Sequence, residues 1–401
     1  MISLKDIQDA RKGLESAIHN TTLIFSSSLS KIAGFDIHLK LENLQKTGSF
    51  KIRGAYNKIA NLKSSRKRKG VVTASAGNHA QGVAFVAGRF GIKSTIVMPE
   101  NASFAKQEAT RGYGAELLLN GDTFEDSFRY AREIEKRKGA VFIHAFDDKD
   151  VIAGQGTIGL EILDALPSVG TVIVPIGGGG LISGISIAIK EQNPGIKIIG
   201  VEAEGASSVS LSVKAGEIKE IGAASTIADG TAVKRVGNIT FPLIQRYVDE
   251  IVTVEEEEIA AAILLLMERK KIIVEGAGAL PLAALLHGKA MIKCNSAVLV
   301  LSGGNIDVNI IERIIEKGLV KSGRLIRLDI ELMDVPGSLA KLTSLIAKNR
   351  ANILHISHDR LSKEVPIRKT RVRFSLETKG YEHIDGILNG LKEKGYIAKI
   401  V

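Results

Sequence analysis

The sequence predicts an α/β protein with mostly parallel sheets, followed by a smaller ferredoxin-like module. From about residue 36 to 320, short apolar β-rich runs alternate with helix-length segments, a pattern typical of parallel strands covered by helices on both faces. Glycine, proline or Asp/Asn clusters follow most of these runs. From residue 324 onward the pattern changes to βαββαβ within about 78 residues.

The candidate strands of the first region are short runs, most of them rich in β-branched residues. In chain order they are IHLKLE, GVVTAS, STIVMP, AELLLN, VFIHAF, TVIVPIG, IKIIGVE, EIVTV and AVLVLSGG. The helices between them are illustrated by EEEEIAAAILLLMERKK, whose first turn is acidic and whose last turn is basic. This order complements the helix dipole, so we interpret the four glutamates as dipole and solvent residues rather than as metal ligands.

The second region begins after the turn GLVKSG at residues 318–323. Its predicted strands are RLIRLDIEL, NILHISHDRL, TRVRFSLET and YIAKIV, and its amphipathic helices are PGSLAKLTSLIAKNR and YEHIDGILNGLKEKG. No catalytic pattern is evident in this module, so we interpret it as an appended sensor. The predicted domains are residues 1–320 and 324–401.

Composition and charge exclude several classes of protein. The net charge of +10 invites a nucleic-acid interpretation, but residues 321–401, with 16 basic and 9 acidic residues, carry most of it, and no aromatic residues interleave the one dense basic run at 66–69. The longest apolar run, residues 259–267, is too short to span a membrane. One cysteine excludes an internal disulfide. We therefore expect a cytoplasmic protein that binds neither nucleic acid nor membrane.

A run of four glycines, Gly177, Gly178, Gly179 and Gly180, followed by Leu181, ends the strand TVIVPI and opens a helix. Glycines at that place let several backbone N–H groups point at one anion. We name Gly177–Gly180 the tetraglycine loop and predict that it binds a phosphate. The alternative is a merely flexible turn.

A dinucleotide is the rival phosphate ligand, because Glu202 ends the next strand, about where a ribose-binding acid belongs. The fingerprint G-x-G-x-x-G/A fails, however, since its third glycine position is Ile182 or Ser183, depending on the starting glycine. No G-x-x-x-x-G-K-S/T sequence is present either. The sequence therefore favours a single phosphate on a small cofactor.

Two further turns follow strands. Residues 75–79, Ser-Ala-Gly-Asn-His, supply donors suited to a carboxylate, although Ser75 is equally compatible with a helix N-cap and His79 with a structural role. Ser302 begins S-G-G-N at the end of AVLVLS, at an edge where α/β sheets gather ligands. Lys51 stands in the glycine-flanked turn KTGSFKIRGA, and taken alone it reads as a solvated lysine.

Taken together these motifs resemble the threonine dehydratase (threonine ammonia-lyase) family, within the tryptophan-synthase-β-like fold of pyridoxal-phosphate (PLP) enzymes. The resemblance covers essentially the whole chain. Its motifs are K-T-G-S-F-K-I-R-G-A at 46–55, S-A-G-N-H-A-Q-G at 75–82, G-G-G-G-L at 177–181, E-G-A-G-A at 275–279 and S-G-G-N at 302–305. The resemblance implies PLP fold type II, in which a smaller subdomain, here about residues 45–150, is inserted in a larger one.

The resemblance also implies a role for each matching residue. Lys51 would form the Schiff base with PLP, and the freed amine would later remove the Cα proton of the substrate. The other implied cofactor contacts are Phe50 on the ring, Asn78 at the phenolic oxygen, Ser302 at the pyridine nitrogen, Glu275, and Gly177, Gly178, Gly179, Gly180 and Leu181 at the phosphate. The implied substrate-carboxylate site is Ser75, Ala76, Gly77, Asn78 and His79.

The implied reaction is dehydration and deamination of L-threonine to 2-oxobutanoate and ammonia, and of L-serine to pyruvate. A serine at the pyridine nitrogen, rather than an aspartate, favours β-elimination over transamination. A role in isoleucine biosynthesis and one in threonine catabolism both stay open. So do a nicotinamide-dependent oxidoreductase, which lacks its fingerprint here, and a non-catalytic amino-acid sensor.

Serine racemase, with its serine dehydratase activity, is the nearest alternative. In racemases a serine precedes the Gly-Asn-His and acts on the opposite face of the intermediate, whereas this chain has Ala76. Racemases also carry a divalent-metal acid cluster where this chain has Glu202 and Glu204 but Ser208 in place of the second acid. We therefore predict no divalent metal and leave a monovalent cation open.

The C-terminal module resembles an ACT domain, a regulatory amino-acid-binding fold, and D-V-P-G at 334–337 matches its ligand loop. The resemblance implies an amino-acid effector and a homo-oligomer, a dimer or a tetramer. Our candidate effector-binding residues are Asp334, Gly337 and Asn352. For each of them, an ordinary turn or cap is the alternative.

Overall fold

The computed structural model of the chain describes residues 2–401. Two compact units are present, Met1–Asp307 and Val308–Val401. The strands are β1 (Leu23–Phe25), β2 (Asp36–Leu41), β3 (Val71–Ala74), β4 (Ser94–Met98), β5 (Glu116–Leu119), β6 (Val141–Phe142), β7 (Thr171–Pro175), β8 (Lys197–Ala203), β9 (Glu250–Val254), β10 (Ser296–Leu301), β11 (Leu325–Met333), β12 (Asn352–Asp359), β13 (Lys369–Glu377) and β14 (Ala398–Ile400). The helices are α1 (Leu4–Leu14), α2 (Ser27–Ala33), α3 (Lys51–Ala60), α4 (Ser64–Lys67), α5 (Asn78–Arg89), α6 (Phe104–Gly112), α7 (Phe124–Lys138), α8 (Lys149–Ala165), α9 (Gly180–Lys190), α10 (Ser208–Ala215), α11 (Thr240–Tyr247), α12 (Glu256–Leu265), α13 (Gly276–Leu286), α14 (Val308–Lys321), α15 (Ser338–Lys348) and α16 (Tyr381–Glu393).

The first unit contains two sheets. The larger has the strand order β1-β2-β10-β7-β8-β9, in which only the edge pair β1–β2 is antiparallel. The smaller has the order β5-β4-β3-β6 and is parallel throughout. The smaller sheet is formed entirely by the chain between α3 and α8, so it is an insertion in the larger one. This arrangement confirms the predicted α/β class.

Central strands of both sheets are apolar on both faces, as expected when helices cover both sides of a parallel sheet. All residues of β4 and β7 are buried. Two separate cores result: one lies around β7 and α9, and the other around β3, β4 and α5. The carboxyl ends of β3, β7 and β10 each lead into a motif that the sequence singles out.

The second unit is a four-stranded antiparallel sheet with the order β12-β13-β11-β14. Its elements after α14 follow one another as βαββαβ, which confirms the predicted ferredoxin-like module. One face packs on α15 and α16 through residues such as Leu342, Phe374 and Leu391.

Two strand predictions differ from the structure. The short edge strand β1 is absent from the prediction, because three residues are too few to show the alternation of apolar and polar side chains that indicates a strand. The run VFIHAF is a strand only over Val141–Phe142. Its end turns because Nδ1 of His144 accepts the backbone N–H groups of Phe146 and Asp147, at 3.2 and 2.8 Å.

Within residues 2–401, no helix combines the length and the apolar character needed to cross a membrane.

Candidate active site

The turn that carries Lys51 is bound to the loop that follows β10. The N–H of Phe50 donates to the carbonyl of Ser302 at 3.1 Å, and the N–H of Gly304 donates to the carbonyl of Gly48 at 2.8 Å. Gly48 has φ +70°, and a Cβ there would lie 2.3 Å from Oδ1 of Asn305, so only glycine fits. The sequence motifs at 46–55 and 302–305 therefore form one structure.

The Lys51 side chain is half-buried at the first position of α3. Its Nζ donates to the carbonyl oxygen of Ala145 at 3.2 Å and lies 5.1 Å from the centre of the Phe50 ring. Burial lowers the pKa of this amine to about 8, although the nearby Glu275 carboxylate acts in the opposite direction. A substantial fraction of the amine is thus neutral near physiological pH, unlike that of a solvated lysine.

The tetraglycine loop connects β7 to α9, and its glycines are required by close packing. A Cβ at any of its four positions would approach a neighbouring atom to within 3.0 Å. Gly179 also has φ +90°. The hydroxyl of Thr240, at the start of α11, donates to the carbonyl of Gly178 at 2.7 Å and so holds the loop in place. The first N–H groups of α9 have no acceptor within the helix, so the loop fits an anion such as a phosphate.

The segment His144–Asp147 links Lys51 to the tetraglycine loop. The sequence does not indicate this role, because its pattern predicts only a strand. The ring of Phe146 lies directly against Gly178, and the carbonyl oxygen and Cα of Phe146 lie against Gly180. It also packs edge-on against the ring of His144 at 4.7 Å between centroids. The Asp147 carboxylate accepts the N–H groups of residues 238–240, where α11 begins. The segment thus forms a wall of the site.

The loop at residues 75–79 follows β3 and leads into α5. Gly77, not Ser75, is the N-cap residue, and the Ser75 hydroxyl accepts the N–H of Gly77 at 3.2 Å. Ala76 packs partly against the apolar core of the smaller sheet. His79 is buried, with Nε2 at 2.9 Å from the carbonyl of Ile143. Burial and, secondarily, the charge of Lys51 lower the pKa of His79 to about 3, so this histidine is neutral and is not a proton carrier.

A chain of side chains connects the two sheets through Asn78. Nδ2 of Asn78 donates to both carboxylate oxygens of Glu275, at 2.7 and 2.9 Å. Nδ2 of Asn305 donates to Oδ1 of Asn78 at 2.7 Å and to the carbonyl of Thr47 at 2.8 Å. Burial raises the pKa of Glu275 to about 7, against the effect of the Asn78 hydrogen bonds. Asn305 is not among the predicted site residues, although it stands in the S-G-G-N motif.

Arg53 of α3 belongs to a group of four buried charged residues. We name this group the charge quartet: Lys40, Glu42, Arg53 and Glu161. Arg53 donates to Glu42 at 2.8 Å from both Nε and Nη2, and to Glu161 at 2.6 and 2.9 Å. Lys40 donates to Glu161 at 2.5 Å. Because Arg53 stands two residues after Lys51, the quartet holds the first turn of α3.

Buried polar atoms near Lys51 indicate that the site suits a polar ligand. Oγ1 of Thr47, Oγ of Ser49 and Nδ1 of His79 have no hydrogen-bond partner among residues 2–401. Buried polar atoms are normally paired, so a ligand that meets them would relieve a cost. Together the segments offer a weakly basic amine, an anion cradle and unpaired polar atoms. That combination fits a phosphate-bearing carbonyl cofactor and an amine substrate.

Glu202 is engaged elsewhere. It is fully buried, and its two oxygens accept the N–H groups of Val209 and Ser210 at 2.9 and 2.7 Å, in the first turn of α10. Burial raises its pKa to about 7. Ser208 donates to the carbonyl of Val233 instead of contacting Glu202. The part of the chain that the structure describes contains no group of three or more His, Cys, Asp or Glu side chains placed to hold a metal ion.

The three candidate effector residues do not meet within one chain. Asp334 follows the end of β11, binds Arg360 at 3.1 Å, and lies near Gly337, which precedes α15. Asn352 begins β12, opposite Glu377 at the far end of β13. Since Leu325 also pairs with Glu377, the length of β11, roughly 30 Å, separates Asn352 from Asp334.

Comparison with known proteins gives a consistent result. A family model described as pyridoxal-phosphate dependent enzyme matches residues 14–303. The chain is 51% identical to the L-threonine ammonia-lyase of Thermotoga maritima over the full length of both proteins. Among solved structures, a T.th. threonine deaminase is 42% identical with a TM-score of 0.73, and the match covers 76% of this chain and 99% of that one. A maize serine racemase is 36% identical with a TM-score of 0.75, over 80% of this chain and 98% of its own.

Proposed function

Because this chain belongs to the family of pyridoxal-phosphate dependent enzymes, we propose that it is a threonine ammonia-lyase. It converts L-threonine to 2-oxobutanoate and ammonia, and L-serine to pyruvate and ammonia. The observation that carries this proposal is that the segment His144–Asp147 contacts both the Lys51 amine, through Ala145, and the tetraglycine loop, through Phe146, while the turn before Lys51 is bonded to Ser302. The full-length similarity to an L-threonine ammonia-lyase supports the choice of reaction.

The residues present fit PLP by their chemistry, with an amine of lowered pKa, a glycine loop at a helix N-terminus and buried polar atoms without a partner. Lys51 would hold the aldehyde carbon of PLP, and the tetraglycine loop and Leu181 would hold its phosphate. Phe50 and Ser302 would contact its ring. Asn78, which here donates to Glu275, would donate to a ring oxygen instead. When bound, PLP supplies a carbonyl that joins the substrate amine and a ring that withdraws electrons from Cα. Ser75, Ala76, Gly77, Asn78 and His79 would frame the substrate carboxylate.

Proton transfer falls to Lys51. With a pKa of about 8, its Nζ is neutral often enough to accept the Cα proton of the substrate at neutral pH. The carbonyl of Ala145 accepts a hydrogen bond from Nζ and so orients the amine.

Serine racemisation is the second candidate, because a solved serine racemase shares the fold at 36% identity. Racemisation requires a proton donor on the face of Cα opposite Lys51. Ala76 has no proton to give, and His79 is neutral with its Nε2 bonded to Ile143. An alanine at position 76 and a neutral, hydrogen-bonded His79 therefore favour elimination.

The proposal is tested by incubating the full-length protein, loaded with PLP, with L-threonine and separately with L-serine. We expect 2-oxobutanoate from the first and pyruvate from the second. The kcat/KM for L-serine should be lower by a factor of about 10–100, because L-serine lacks the methyl group that the pocket binds in L-threonine. Formation of D-serine without 2-oxo acid would instead establish the racemase.

The lowered pKa of Lys51 gives a pH prediction. Only the neutral amine captures PLP, so the rate of PLP incorporation into apoprotein should rise through pH 8 and level off above it. Glu275 stabilises the ammonium form, so Glu275→Gln should move this transition to lower pH. The measurement is the absorbance change on mixing apoprotein with PLP. A transition near 10.5, the ordinary value for lysine, would contradict the burial of Lys51.

We infer for the second unit that it binds an amino-acid effector and that the chain forms a homo-oligomer. The ACT-like βαββαβ order and the positive φ of Gly337, +86°, at the start of α15 support a ligand loop at 334–337. Asn352 would belong to the same site only if a second copy supplied it. Thermal shift with each of the amino acids, repeated on Asp334→Ala and Asn352→Ala, together with light scattering, tests both inferences.

A further inference from the structure

A short segment of the first unit is tied to the helices of the smaller sheet by two ion pairs. We name residues 229–234 the strap. Asp229 at its start accepts a hydrogen bond from Lys106 of α6, with Nζ 2.8 Å from Oδ2. Lys234 at its end lies 2.9 Å from the Glu125 carboxylate at the start of α7. The strap supplies the acid in the first pair and the base in the second. Each end of the strap therefore pairs with a partner of opposite charge.

The strap packs against two parts of the candidate site, the tetraglycine loop and Glu275. A Cβ on Gly177 would lie 2.9 Å from the Cα of Thr231, which shows that the tetraglycine loop rests on the strap. A Cβ on Gly230 would lie 3.3 Å from a carboxylate oxygen of Glu275, the partner of Asn78. The strap therefore touches both the anion cradle on the larger sheet and the carboxylate that contacts the loop of the smaller sheet.

Lys106 is the stronger of the two links. Its side chain is 22% exposed, against 36% for Lys234, and it also lies 3.6 Å from Asp307, a second acid on the larger side of the cleft. Burial lowers the pKa of Lys106, but the hydrogen bond to Asp229 and the charges of Asp229, Asp307 and Glu275 together more than offset this, so its pKa is raised. Lys106 is accordingly charged over the whole working range of pH.

We propose that Lys106 and Lys234 are positioning residues whose ion pairs clamp the strap to α6 and α7 and hold the two sheets at the separation the site requires. In this proposal both lysines act through the ion pairs of the strap and take no part in the chemical step. The clamp sets how well the 75–79 loop, on the smaller sheet, faces the tetraglycine loop, on the larger one. This inference relies on the proposed function only for its kinetic readout.

The test compares Lys106→Met, Lys234→Met and the double variant as full-length, PLP-loaded proteins. We expect Lys106→Met to lower kcat/KM for L-threonine roughly fivefold, mainly through KM, and Lys234→Met to lower it less. The double variant should lose more than the product of the single effects, because either pair alone still holds the strap. Raising the KCl concentration should lower kcat/KM of the wild type more than that of the double variant.

Controls separate the clamp from a general loss of charge. Lys197→Met removes a pair of similar exposure, Lys197–Glu250, that lies within the larger sheet, and should leave kcat/KM unchanged. Lys106→Arg should restore most of the activity. A second readout needs no turnover: hydrogen exchange of residues 104–112 should quicken in Lys106→Met and not in Lys197→Met. Equal kinetics and equal exchange in these two variants would overturn the proposal, whereas a wild type without 2-oxo acid formation would refute only the proposed reaction.

Discussion

Lys51→Ala is expected to lower 2-oxo acid formation from L-threonine by roughly 10³-fold or more, because the same amine is the covalent anchor and the base. The physical basis is the position of Nζ, which is held by the Ala145 carbonyl beside the Phe50 ring with a pKa of about 8. The measurement is kcat for 2-oxobutanoate with saturating PLP.

Lys58→Met is the matched control for this variant. Lys58 lies on the same helix and pairs with Asp148 and Asp150 at 2.8 and 2.9 Å, but at a partly exposed position away from the cleft. Its loss should change kcat less than about twofold and stability by no more than ~1 kcal/mol. Lys51→Ala protein that keeps more than a few per cent of the wild-type rate would show that another group is the base.

Arg53→Met is expected to destabilise the first unit by about 3–5 kcal/mol. The change removes one cation of the charge quartet and leaves the buried carboxylates of Glu42 and Glu161 with only Lys40 as a cation. Urea unfolding, followed by a probe in each unit, should show a lower midpoint for Met1–Asp307 and an unchanged midpoint for Val308–Val401.

The comparison variant for Arg53 is Arg373→Met in the second unit. Arg373 contacts Asp329 in the same two-pronged way, at 2.6 and 2.7 Å, but its side chain is 53% exposed. Water screens this pair, so its loss should cost at most ~1 kcal/mol. Similar midpoint shifts for the two variants would mean that burial of the quartet contributes nothing beyond an ordinary surface pair.

Much of the fold is predictable because its strands are buried on both faces and bounded by turn residues. Each predicted strand has a counterpart, and the ferredoxin-like order of the second unit is confirmed. The strand order of the larger sheet is not predictable, since β2 and β10 carry no sequence signal for pairing across the whole unit. Likewise, nothing in VFIHAF indicates that His144 accepts two backbone N–H groups and ends the strand.

Motifs at strand ends predict where the site residues gather, because parallel strands bring their carboxyl ends to one edge. Spacing alone does not reveal partners: neither the bond from Asn78 to Glu275 nor the wall formed by Phe146 follows from the sequence. Arg53 reads as one more surface cation until its burial is seen. In the second unit the sequence groups Asn352 with Asp334, but strand direction sets them at opposite ends of β11.

The pairing of β2 with β10 has a consequence for biosynthesis. These neighbouring strands are some 260 residues apart in the chain, so a ribosome adding 5–20 residues per second makes the second one roughly 15–50 s after the first. The smaller sheet, whose strands lie between Val71 and Phe142, has all its parts within that interval. The turn before Lys51 is fixed by carbonyl and N–H groups of Ser302 and Gly304. A nascent chain therefore contains Lys51 long before the residues that surround it have been synthesised. The chain can bind the cofactor at this lysine only after almost the whole first unit has left the ribosome.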